Sequence, residues 1–210
     1  MKEAMQASLA KHDVIMIGTS AGGIVPLKKL VAQLPHDFPA AVFVIVHIPP
    51  WRRSDLPKIL TLCGRLPAKH PDSGELVRPG YIYVAPPDHH LLLDDGHVLL
   101  WRGPKENRHR PAINAAFRSA ATTYRDRAVG VILSGILDDG ATGLWWIKHF
   151  GGIAIVQDPD DTQFPDMPSA ALEHVEVDYV APANQIGRLI VDLTQNGRVR
   201  ERNTQPEERT

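Results

Sequence analysis

The chain has 210 residues, 43% hydrophobic and 22% charged, which fits one globular domain able to bury a real core. Its 23 Lys and Arg against 24 Asp and Glu leave a formal charge of −1, which excludes nucleic-acid binding held mainly by net charge. A single cysteine, Cys63, excludes a disulfide framework and a cysteine-based zinc site, and no apolar run reaches the ~18–20 residues that span a bilayer.

In chain order, residues 1–13 read as an N-terminal extension without the pattern of a secretory signal, so the expected setting is cytoplasmic, with no membrane insertion. Residues 14–17 form a β-branched run that leads into the glycine-rich 18–23. Residues 26–33 follow, with Leu27, Leu30, Val31 and then Leu34 at helical spacing behind a first-turn proline. Residues 41–46 are a second apolar run, stopped by His47-Ile48-Pro49-Pro50. Runs apolar at every position predict strands covered on both faces, hence a parallel sheet between helices.

Residues 81–85 end at Pro86-Pro87, and residues 91–93, a turn at Asp94-Asp95-Gly96 and residues 98–101 predict a β-hairpin. A helix over 112–124, with Ile113, Ala116, Phe117 and Ala120 on one face, precedes a third parallel strand over 128–133. A helix over 142–150, a strand over 153–156, a short helix over 168–174, a brief strand over 177–180 and a helix over 184–194 complete the pattern. Residues 196–210 mix arginine and glutamate without an apolar stripe and read as a disordered tail. The expected domain, residues 14–195, is a doubly wound α/β fold whose mostly parallel sheet is flanked by helices and carries an inserted β-hairpin.

Open parallel sheets place their ligands just beyond the carboxyl ends of the strands. Beyond the first run comes Ser20, beyond the second His47, and beyond the third Asp138-Asp139-Gly140. A nucleophile, a base and an orienting acid require these three groups. Residues 18–22 also have the Gly-x-Ser-x-Gly spacing of a nucleophile elbow. The order Ser20, His47, Asp139 disfavours a standard α/β-hydrolase. A nucleotide cradle, the commoner use of a glycine-rich turn, fits poorly: the Gly-x-Gly-x-x-Gly pattern is missing and Ile24 stands where a P-loop needs lysine.

Four stretches now resemble the catalytic domain of the chemotaxis methylesterase CheB, the protein-glutamate methylesterase family. They are Ile17-Gly18-Thr19-Ser20-Ala21-Gly22-Gly23, residues 44–49, Leu133-Ser134-Gly135-Ile136-Leu137-Asp138-Asp139-Gly140-Ala141, and residues 151–157 with Met167-Pro168 beyond. Pro79-Gly80-Tyr81-Ile82-Tyr83-Val84-Ala85-Pro86 and Asn107-Arg108-His109-Arg110-Pro111 support the match, which covers roughly residues 14–193. The resemblance implies Ser20 as nucleophile, His47 as base and acid, and Asp139, which directly precedes Gly140, as the residue orienting His47. It implies an oxyanion or substrate-binding role for the amide of Ile136 and for Ala21, no cofactor, and no metal. The implied reaction converts glutamate methyl esters of chemoreceptor cytoplasmic domains to glutamate and methanol, with deamidation of receptor glutamines as a related activity.

Several positions depart from the family pattern. Ala21 replaces a common threonine, Ile136-Leu137 a common Met-Gly, Ala112 and Asn114 a serine and an aspartate, and Pro165-Asp166 a Phe-Gly. With all three triad positions kept, these read as changes in substrate fit. The family's N-terminal receiver domain is not seen, since only 13 residues precede Val14. The chain then reads either as a stand-alone esterase with a separate regulator or as one domain of a longer protein. His89, His90 and His97 read as structural rather than metal-binding, Arg52, Arg53, Arg108 and Arg110 as loop charge, and one of Trp145 and Trp146 as core. A non-catalytic signalling module that uses the same cleft is the alternative function.

Overall fold

The computed structural model describes residues 12–196. The expected tail lies outside them apart from the backbone of Asn196, as does the extension up to Lys11. In chain order the strands are β1 (Val14–Thr19), β2 (Ala41–Val46), β3 (Ala68–Lys69), β4 (Glu75–Leu76), β5 (Ile82–Val84), β6 (His90–Asp94), β7 (His97–Trp101), β8 (Ala128–Ile132), β9 (Ile153–Gln157) and β10 (Tyr179–Ala181). The helices are α1 (Ile24–Val31), α2 (Leu56–Cys63), α3 (Ile113–Tyr124), α4 (Ala141–His149), α5 (Asp166–His174) and α6 (Ala183–Asn196). Seven strands form one wholly parallel sheet in the order β10-β9-β8-β1-β2-β5-β3.

The sheet has a core on each face, as the continuous apolar runs require. Val14 and Met16 of β1 pack with Ile113, Phe117 and Leu144 on one face. Ile15 and Ile17, pointing the other way, pack with Leu27, Leu30 and Ile190 on the opposite face. Each such buried side chain contributes about 1.5–3 kcal/mol relative to exposure. The chain moves outward from β1 through β2 to one edge, then returns to β8 on the other side of β1. The sheet's direction of growth therefore reverses at the β8–β1 boundary, the position at which open parallel sheets place their ligand sites.

The structure refines three parts of the expected fold. Residues 81–85, assigned to no sheet from the sequence, contain β5 of the parallel sheet, and α2, β3 and β4 had no counterpart in the sequence reading. The hairpin is present as β6 and β7, joined by two left-handed residues, Asp95 (φ 41°) and Gly96 (φ 77°), but β4 adds a third antiparallel strand. The brief strand expected at 177–180 begins only at Tyr179, because the Asp178 carboxylate accepts from the Ala154 amide and from Lys148.

Candidate active site

Parallel pairing fixes the first two side chains. Thr19, the last residue of β1, is paired with Val46, the last of β2, so Ser20 and His47 leave neighbouring strands at the same level. The Ser20 amide donates to the Ser134 carbonyl (2.9 Å) and the Ser20 carbonyl accepts from the Gly23 amide (3.1 Å), closing a tight turn into α1. Gly22 within it has φ +73°, and a Cβ there would meet Phe164 at 2.5 Å and the Ser134 hydroxyl at 2.9 Å. Glycine alone fits this turn. The amide end of α1 follows directly and favours negative charge near Ser20.

The imidazole of His47 bridges the other two groups. Its Nδ1 accepts from Ser20 Oγ at 3.1 Å, and its Nε2 donates to Asp139 Oδ2 at 2.8 Å. Both partners of the imidazole–carboxylate contact are shielded, with side chains 7% and 1% exposed. The atom facing the Ser20 hydroxyl is thus Nδ1, as an acceptor, and the proton on Nε2 belongs to the carboxylate contact. Asp138, its rival in sequence, is exposed and lines a shallow cleft with Trp145 and His174. Trp145 is exposed, while Trp146 packs partly against the core.

Asp139 is held by more than His47. Its carboxylate accepts from the amides of Ile113 (2.7 Å) and Asn114 (3.2 Å), the first two residues of α3, and from Asn107 Nδ2 (3.4 Å). The N-cap residue of α3, Ala112, offers no side chain, so Asp139 caps that helix from another element. Asn114 returns the favour: its Oδ1 accepts from the amides of Gly140 (2.9 Å) and Gly143 (2.7 Å) at the start of α4. Gly140 has φ +108°, and a Cβ there would meet Ile132 at 2.5 Å. The Asn114 departure from the family pattern is therefore a buried capping residue next to Asp139 and not a pocket residue.

The sequence reading missed His109. Its ring lies on that of His47, with centroids 3.6 Å apart and planes 2° apart. Burial, then the charge of His47, holds His109 below the ordinary histidine range, with Asp139 opposing and Lys105 and Arg108 adding to the depression. The segment carrying it is pinned at several points. Arg110 pairs with Asp88, which also pairs with Arg102, Arg118 takes Glu106 with both guanidinium nitrogens, and His90 donates to the Pro104 carbonyl. The Arg110 guanidinium, aided by Arg102, holds the Asp88 carboxyl below the usual range. No sequence signal marks a ring stack. The only hint was that His109 sits inside the Asn107–Pro111 motif already quoted.

The backbone near Ile136 runs directly past Ser20. A Cβ at Gly135 would lie 3.0 Å from Ser20 Cβ and 2.0 Å from Met167 Sδ. The Gly135 amide is used by the Phe164 carbonyl, whereas those of Ile136 and Ala21 have no protein acceptor among the described residues. Among those residues no group of three or more His, Cys, Asp or Glu side chains is placed to hold a metal ion. His89 and His97 each bond a carbonyl two residues back, and His90 bonds Pro104. Cys63 is half-buried at the end of α2. No described helix is long and apolar enough to cross a membrane.

A hydroxyl, an imidazole and a buried carboxylate in relay, set in the crevice of a doubly wound sheet, define the arrangement of a serine hydrolase. The chain belongs to the CheB methylesterase family, whose model matches residues 15–190. A Leptospira interrogans relative, named for protein-glutamate methylesterase and protein-glutamine glutaminase, is 37% identical over 186 residues, covering 88% of this chain and 96% of that protein. A Thermotoga maritima protein named for the same pair is 34% identical over 86% of this chain, and the match spans 54% of its length. The crystal structure of the Thermotoga maritima CheB methylesterase catalytic domain superposes with a TM-score of 0.82 at 34% identity, covering 87% of this chain and 98% of that one.

Proposed function

We propose that the chain hydrolyses methyl esters of glutamate side chains on chemoreceptor cytoplasmic domains, in the cytoplasm, with Ser20, His47 and Asp139 as its catalytic residues. The observation that carries this reading is the Ser20–His47–Asp139 relay on three strand ends. His47 Nδ1 takes the Ser20 proton as Oγ attacks the ester carbonyl, and Asp139 stabilises the resulting imidazolium. The Ile136 and Ala21 amides are the candidate donors to the tetrahedral oxyanion. His47 then returns the proton to the methoxide, methanol leaves, and water attacks the acyl-enzyme with His47 again as base. The net reaction is ester plus water giving glutamic acid and methanol. A glutamine side chain follows the same path with ammonia as the leaving group.

The buried, fully bonded state of Asp139 favours catalysis over a signalling module that keeps only the cleft. The single cysteine suits a cytoplasmic setting. A fluorophosphonate serine-hydrolase probe tests the assignment. It should label the protein and fail to label the Ser20→Ala and His47→Ala variants when both fold normally by circular dichroism. Equal labelling of Ser20→Ala would sink the reading.

A further inference from the structure

Beside the relay, on the His47 side only, lies an open groove of about 280 Å³ whose walls include His47, Pro49, Trp51, Lys105, Arg108 and His109. We propose that this groove is a docking surface for an acidic polypeptide segment flanking the scissile glutamyl ester, an inference that rests on the function proposed above. Because His47 and His109 belong to both groove and site, a segment lying in the groove runs directly into the reacting centre.

Three features point to an acidic polypeptide. The first is Trp51, 84% exposed and preceded by Pro49 and Pro50, which restrict the chain that carries it. A large ring held in water on a stiff support is the usual anchor of a protein contact. The second is unspent positive charge. Arg102, Arg110, Arg118 and Arg127 each have a carboxylate partner. Lys105 and Arg108 on the groove, and Arg52 and Arg53 directly after Trp51, are exposed and have no ion-pair partner among the described residues. The third is the backbone: Asn107 (φ 47°) and Arg108 (φ 67°) are consecutive non-glycine residues in the left-handed region. They are the two central residues of a tight turn closed by backbone bonds between Glu106 and His109, and this turn brings His109 in onto His47 while Arg108 faces the groove.

The loop after β8 and the start of α5 carry the reverse sign, with exposed Asp138 and with Asp166, which accepts from the Leu137 amide. A segment with carboxylates on one side of the ester is therefore attracted to the His47 side and repelled by the other. Each turnover creates a glutamate, so a polypeptide with several modifiable glutamates matches this polarity.

The test uses two synthetic peptides, each with one glutamyl methyl ester, flanked either by free glutamates or by glutamines. Methanol release by the wild-type chain should show KM at least about tenfold lower for the glutamate peptide at low salt, and the advantage should fade as salt rises. Trp51→Ala, and separately Arg52→Ser with Arg53→Ser, should raise KM for the glutamate peptide about tenfold with kcat little changed. Arg65→Ser with Arg188→Ser, which removes equal charge from a separate cleft, should not. Equal KM for both peptides, or equal losses in the control variant, overturns the proposal. So does a DNA oligonucleotide that inhibits more strongly than a glutamate-rich peptide. If no methanol is released even by wild type, the function fails separately, and calorimetric binding of both peptides to Ser20→Ala still decides the docking question.

Discussion

Replacing Asp139 with asparagine alters a side chain that takes four hydrogen bonds, from His47, Ile113, Asn114 and Asn107. An amide offers one accepting oxygen and one donating nitrogen where the carboxylate offered two acceptors. If the oxygen keeps His47 and Ile113, the NH2 group faces two other donors, the Asn114 amide and Asn107. If it turns over, the NH2 group faces His47 Nε2 and forces the ring proton onto Nδ1, the atom that must accept from Ser20. Either way the imidazolium loses its counter-charge. The expected fall in kcat is about 10³–10⁴-fold, or roughly 4–5.5 kcal/mol in barrier. Losing charge-assisted bonds to the α3 amides should also cost about 2–4 kcal/mol in stability. Asp138→Asn, on an exposed side chain, should change the rate less than about twofold. Methanol release and thermal unfolding of both variants measure these effects. Asp139→Asn retaining more than a tenth of wild-type kcat, or Asp138→Asn losing more than Asp139→Asn, would refute the reasoning.

Asn114→Ala should leave the Gly140 and Gly143 amides unpaired near the acid, at about 2–4 kcal/mol, and lower Tm by roughly 5–15 °C in calorimetry. An unchanged Tm would mean that α4 is capped in another way. His109→Phe keeps an aromatic face on His47 but removes a proton-binding group. Because burial and His47 depress the His109 pKa below 6.5, the folded state binds fewer protons than the unfolded one. Stability is therefore complete above that value and falls as pH drops through it. Urea unfolding between pH 5 and 8 should show a shallower acid-side loss in His109→Phe than in wild type. Identical slopes would contradict the assignment.

What the sequence made legible follows from where the information lies. Continuous apolar runs announced the central parallel strands, and the residue just past each run announced Ser20 and His47, because strand ends and crevice coincide in this topology. The choice of Asp139 over Asp138 came from the family pattern, and the burial of Asp139 now supplies a physical reason for it. The two-residue strands β3 and β4 carry no period to read, and β5 has the same apolar run as a hairpin strand, so its sheet depended on tertiary pairing. Reciprocal capping by Asp139 and Asn114, and the stack of His109 on His47, join segments about 25 to 62 residues apart. Local pattern has no means of encoding such contacts. Asn114 looked like a change in substrate fit because its role exists only once α3 and α4 meet.

The central claim is that this chain hydrolyses a protein glutamyl methyl ester through Ser20. Its most direct test is methanol release from a methylated chemoreceptor cytoplasmic fragment, with the wild-type chain compared against Ser20→Ala. The account predicts release by wild type and none above background by the variant. Release at the same rate from both would contradict the assigned nucleophile, and release from neither, with both folded, would contradict the substrate.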